Sequence, residues 1–330
     1  MEGCALDGQS VTGHAGRSDS FAAQVHVNLR ATPSKNNRLR EDIVYVKPTT
    51  PRSIGGVLDD AIKLYRSAFA VSWPLALFGQ VMLAVPAFII RAKTVATPVV
   101  AGNPFAALAI YKSPLVWVPY LIALFLLVGV NNALISRADG VATVKTQTLG
   151  ESLAVGFRLL PRTVLLFLAI SAGGIILGLL VGIAGAALGA VPVAKAILFA
   201  ALAAAAIYVL WKIFLSNIAI VVEDAAVFKS LETSWTLIKG HWWRSATVYT
   251  VAVIIALVFY FVLAFASGLV IGLLHGSPAT TIVFSELITI VGGTVLMAFL
   301  PAVMLTLYYD LKLRKDGADL ANRVNALAQK

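Results

Sequence analysis

The chain has 330 residues, of which 59% are hydrophobic and 13% charged, with a mean hydropathy of +0.87. A soluble domain carries about 25% charged residues, so this composition excludes a soluble enzyme, a disulfide scaffold and a disordered polar chain. The 26 Lys and Arg exceed the 16 Asp and Glu by +10, but they flank apolar runs, which names anionic lipid headgroups as partners rather than nucleic acid.

Residues 1–53 are polar and hold seven basic residues from Arg17 to Arg52. They are expected to form a disordered basic cytoplasmic tail, either an arm drawn to an anionic leaflet or a solvated leader. Cys4 stands alone in this tail, so no intramolecular disulfide and no cysteine metal site follow. A membrane domain is expected over 54–322 and a short cytoplasmic tail over 323–330.

About 20 apolar residues cross a hydrocarbon core of roughly 30 Å as a helix. Six segments meet that measure: 69–90, 115–135, 164–188, 193–220, 246–274 and 282–308. The third and fourth are separated only by Gly189 to Pro192, which predicts a tight helical hairpin. Basic residues set the orientation: together with Lys63, Arg66 and Lys212, those in the tail, in loops on one side and at the C-terminus make 22 of the 26. Only Arg91, Lys93, Lys112 and Lys195 lie on the other side. The positive-inside rule then puts both termini in the cytoplasm, as an even number of spans requires.

Before each outgoing span lies a stretch too short and too charged to cross: 54–68, 149–161 and 225–243. Each reads as an amphipathic interfacial helix. They share a pattern, Leu58, Ile62 and Leu64, then Leu153, Phe157 and Leu159, then Leu231, Trp235 and Leu237. The fold class expected is therefore all-α, a polytopic helical bundle of six spans and three interfacial helices in three pseudo-repeats. The third repeat carries Trp242, Trp243 and Arg244 where chain enters lipid; indoles prefer that boundary, and an aromatic cage for a cationic headgroup would need the rings to face each other.

Gly174, Gly178 and Gly182, and likewise Gly268 and Gly272, recur every four residues and line one helix face, which predicts close helix packing. Polar groups within the spans are Gln80, Asn131, Asn132, Lys212 and Glu286. Such groups are rare in lipid and often functional. Lys212 and Glu286 lie near span ends and are expected to reach the interface, as long side chains do. Pro74, Pro86, Pro119 and Pro301 fall within or near spans and free backbone carbonyls there.

Enzymatic patterns are missing: the four histidines, His14, His26, His241 and His275, are scattered, and no HExxH, Walker-type or GxSxG motif occurs. No catalytic, cofactor or metal residue is assigned. Asp59 with Asp60 and Glu223 with Asp224 read as helix-start residues at the positive end of a dipole.

The run from Tyr308 and Tyr309 through Asp310, Lys312, Arg314, Lys315, Asp316, Gly317 and Leu320 resembles the YYDLRxRKEGxDL ending of a broad group of prokaryotic six-helix membrane proteins. So does the stretch from Val222 and Glu223 through Leu231, Ser234, Trp235, Lys239, Gly240, Trp243 and Arg244. The group is similar to the membrane domain found beside glycerophosphoryl diester phosphodiesterases. Lys312 stands where Arg is common and Asp316 where Glu is common. The resemblance spans about 54–322 and implies no activity for this chain, since the phosphodiesterase of fused relatives is a separate barrel. In that ending Tyr308 and Tyr309 are expected at headgroup level, with Lys312, Arg314 and Lys315 on phosphates and Asp310 pairing Arg314 one turn away. The expected function is a non-enzymatic, lipid-associated or partner-binding membrane scaffold; the alternative is a small transporter or lipid translocator.

Overall fold

The computed structural model of the protein describes residues 45–96, 114–187, 191–274 and 278–328. Every regular element among them is an α-helix. In chain order these are α1 (Ile54–Ala96), α2 (Pro114–Ala142), α3 (Leu149–Ala187), α4 (Pro192–Ile213), α5 (Ser216–Glu223), α6 (Val227–Ile238), α7 (Trp242–Leu274), α8 (Pro278–Met297) and α9 (Phe299–Ala328). Six stretches are long and apolar enough to cross a membrane: Ile54–Ile90, Trp117–Ala142, Leu149–Ala187, Pro192–Glu223, Trp242–Leu273 and Thr280–Gly317. The chain is a multi-pass membrane protein. Of the expected basic tail only 45–53 are described, and the expected hairpin turn near Gly189 lies outside the described residues. The expected C-terminal tail is helical as far as Ala328.

Local chemistry sets the helix ends. The Ser53 hydroxyl accepts from the Gly56 amide at 3.1 Å and starts α1. Thr148 and Glu151 form a reciprocal capping box at the start of α3, with bonds of 2.8 and 3.2 Å. Stretches 54–68 and 149–161 run without a break into the apolar helices that follow, making α1 and α3 continuous over 43 and 39 residues. Only the third such stretch is a separate helix. There Gly240, at φ +86°, takes a left-handed conformation that a side chain resists, and α6 ends before α7 begins. The first two stretches lack that punctuation, and Pro74, Pro86 and Pro161 sit inside helices without ending them.

The buried apolar core draws on α1, α2, α5, α6, α7 and α9, and α1 packs most extensively on α2. Its largest cluster gathers near the charged end of the bundle and includes Leu64, Ile135, Ile218, Ile238, Leu305 and Tyr308. Close approach of α2 and α3 depends on Gly156, where an added Cβ would stand 2.3 Å from the Gly129 carbonyl oxygen. The outer parts of α3, α4 and α7 leave their apolar side chains exposed. Those faces suit hydrocarbon as solvent. The five glycines expected to pack helices lie on them: a Cβ at Gly174, Gly178, Gly182, Gly268 or Gly272 would meet nothing within 4 Å. Spacing put these glycines on one face, but the tight contacts form instead at Gly79, Gly129, Gly156, Gly292 and Gly293.

Candidate functional site

Two regions collect the polar chemistry of the bundle. The first is at its charged end, centred on Asp310, which α9 carries into the core at 1% exposure. Its carboxylate accepts from the Arg52 backbone amide at 2.8 Å, from Arg244 Nε at 2.9 Å and from Arg314 Nε at 2.9 Å. Both guanidiniums also donate to the Arg52 carbonyl at 2.5 Å. The segment entering α1, the start of α7 and the middle of α9 are thereby tied to one carboxylate. Such charge-assisted bonds are about twice as strong as neutral ones. Beside them the Arg52 side chain approaches Asp60 at 3.4 Å. Burial, followed by Arg314 and Arg244, holds the His241 pKa below its ordinary value.

The Asp310–Arg314 pair expected from helical spacing is present, but Arg244 and Arg314 are engaged with protein rather than left for phosphates. Tyr308 and Tyr309, expected at headgroup level, are buried. Tyr309 donates to Asp139 and lies under Lys47, whose ammonium is 3.9 Å from the ring centroid. Burial raises the pKa of Tyr45 in the same corner. Lys312 donates to Glu223 at 2.5 Å. Lys315 is exposed beside a small cavity of about 230 Å³ lined also by Glu232, Thr236 and Asp316. Trp242 packs on the core, whereas Trp243 is 78% exposed. Their rings meet edge to face at 4.6 Å and leave no cage between them.

Glu223 and Asp224 sit at a helix C-terminus, not a helix start: Glu223 ends α5, and Asp224 caps it at φ 53°. Acidic residues there face the negative end of the dipole. Cations offset this, with Arg158 at 3.6 Å and Arg162 in contact with Asp224, and Lys312 on Glu223. The break between the fourth span and the stretch 225–243 lies where the sequence places it, but no Gly or Pro marks it as the end of a helix, so from sequence the acidic pair reads as a start. Lys212 does not extend to open water: it is buried, with its ammonium 5.5 Å from the Tyr208 ring and 5.4 Å from Trp235. Glu286 is likewise buried in α8.

The second region is a lateral cleft of about 730 Å³ among α1, α2 and α3, closed at one point by Met297 of α8. Leu83, Leu121, Leu124, Phe125, Phe167 and Leu168 give it apolar walls. Gln80, Asn131, Thr163 and Ser171 supply polar groups, and no ionisable side chain lines it. Asn132, which adjoins Asn131 in sequence, points instead into the packing between helices. Its Nδ2 donates to Thr163 Oγ1 at 2.9 Å, and Thr163 in turn donates to Asn217 Oδ1 at 3.3 Å. Asn132 Oδ1 is buried without a hydrogen-bond partner. The sequence flagged Gln80 and both asparagines one by one; Thr163 escaped notice because hydroxyls are common at helix ends. Compared with protein-family models, with curated proteins and with solved structures, the chain matches none.

Proposed function

We propose that this is a non-enzymatic, lipid-associated scaffold of the cytoplasmic membrane, with both termini in the cytoplasm. The observation that carries it is the use of charge at one end of the bundle. Asp310, Asp224 and Glu223 are each consumed in joining helices. Among the side chains that point outward, Trp243 and Lys315 are of types that suit a headgroup layer. Large apolar faces on α3, α4 and α7 add surface for lipid or for a protein partner.

The threefold repeat of interfacial helix and hairpin belongs to this proposal, as does membership of the six-helix family whose ending Tyr308–Leu320 resembles. Support for the repeat comes from α6, a short amphipathic helix set apart before its span. A lipid translocator is the second reading, favoured by the cleft that brings Gln80 and Asn131 together within the membrane.

Native mass spectrometry and flux measurements on the purified protein test the two readings. A scaffold retains anionic lipid, less so after Lys315→Gln with Trp243→Ala, and proteoliposomes pass lipid and solute at the protein-free rate. Flux above that rate overturns the scaffold and supports the translocator.

A further inference from the structure

We infer that the cleft among α1, α2 and α3 is a binding site for an uncharged lipid bearing hydroxyl or ester groups. The inference rests on the chain lying in a membrane, and not on the choice between scaffold and translocator.

Its volume of about 730 Å³ falls in the usual range of ligand pockets. The Arg137 guanidinium fixes a level near the charged end, where it donates to the carbonyls of Val71 at 2.8 Å and Gln147 at 2.7 Å. Along α2, Asn131 lies six residues beyond Arg137, a rise of about 9 Å. Along α1, Gln80 lies nine residues beyond Val71, a rise of about 14 Å. These amides therefore stand well inside a hydrocarbon core of roughly 30 Å. Leu121, Leu124 and Leu83 continue the cleft toward the far end. A polar floor with an apolar channel beyond it has the layout of a small lipid head and its chain.

Neither the Gln80 nor the Asn131 amide makes a hydrogen bond among the described residues. Thr163 spends its proton on Asn217 and one lone pair on Asn132, so the polar groups left to the cleft are chiefly the two amides. Polar groups at that depth are costly to leave unmet. A hydroxyl can accept from the amide nitrogens and donate to the amide oxygens, and an ester carbonyl can accept from the nitrogens. A phosphate at the same depth would meet no cation, because no Lys or Arg lines the cleft, and its desolvation would go uncompensated. Charge thus selects a neutral ligand.

Photo-crosslinking of the full-length protein in phospholipid nanodiscs tests this. The probes are a diacylglycerol, a long-chain alcohol and a phosphatidylglycerol, each carrying a diazirine on its chain. Diacylglycerol or alcohol labelling should concentrate on α2 and α3 residues of the cleft, and the stronger of the two identifies the source of the hydroxyl. Gln80→Leu with Asn131→Leu should lower it about fivefold or more. Leu124→Trp should block it sterically, and because Leu124 is 54% exposed the change leaves helix packing intact. A thermal melt verifies folding of each variant. Equal labelling by phosphatidylglycerol, labelling spread evenly over α4 and α7, or labelling undiminished in Leu124→Trp would overturn the assignment.

Discussion

Replacing Asp310 by Asn removes the charge at the junction of three chain segments while keeping one carbonyl acceptor in place. The carboxylate is 1% exposed, and its partners Arg244 and Arg314 are 16% and 26% exposed. Breaking a buried ion pair by removing one partner costs about 3–5 kcal/mol. Partial access of water to the two guanidiniums and the acceptor retained by Asn reduce that, so the expected loss is about 2–3 kcal/mol. Unfolding of the detergent-solubilised protein by increasing SDS measures it. A double-mutant cycle with Arg244→Leu and Asp310→Leu should give a coupling of about 1–3 kcal/mol. The corresponding cycle with the more exposed Arg314 should give less. A variant Asp310→Asn within about 0.5 kcal/mol of the parent, or no coupling to Arg244, would show that this carboxylate does not hold the charged end together.

Gly156→Ala places a methyl group 2.3 Å from the Gly129 carbonyl oxygen and 2.9 Å from the Ala133 amide nitrogen. α2 must shift, and the same SDS titration should register a loss of about 1–3 kcal/mol. Gly178→Leu, which helical spacing alone marks as disruptive, meets nothing within 4 Å and should change stability by less than about 0.5 kcal/mol. Asp224 occupies the left-handed region at φ 53°. Asp224→Val should therefore cost about 1–2 kcal/mol, whereas Asp224→Gly loses only exposed ion pairs and should cost less, as thermal melts of the two will show. Because the folded His241 pKa lies below its ordinary value, the unfolded chain takes up the proton first as pH falls. Its contribution to stability is complete above the ordinary histidine range and is lost as pH drops from that range through the lowered folded value. Melting temperatures taken from about pH 8 to about pH 5 should decline less steeply in His241→Gln.

Composition and the lengths of apolar runs determined that this is a helical membrane protein with six stretches able to span. That information is local, because a helix satisfies its own backbone within the segment and lipid solvates whatever the segment turns outward. The Asp310–Arg314 pair was legible for the same reason, one helical turn being a sequence distance. Tertiary structure alone decided what lies between segments. It brought Arg52 and Arg244 to Asp310 from far along the chain, buried Tyr308 and Tyr309, and enclosed Lys212 between rings. Glycine spacing could not tell a packed face from a lipid face, since both are apolar and smooth; only the approach of α2 to α3 singled out Gly156. Gln80, Asn131 and Thr163 belong to three different helices, and it took the packing of those helices to make one cleft of them.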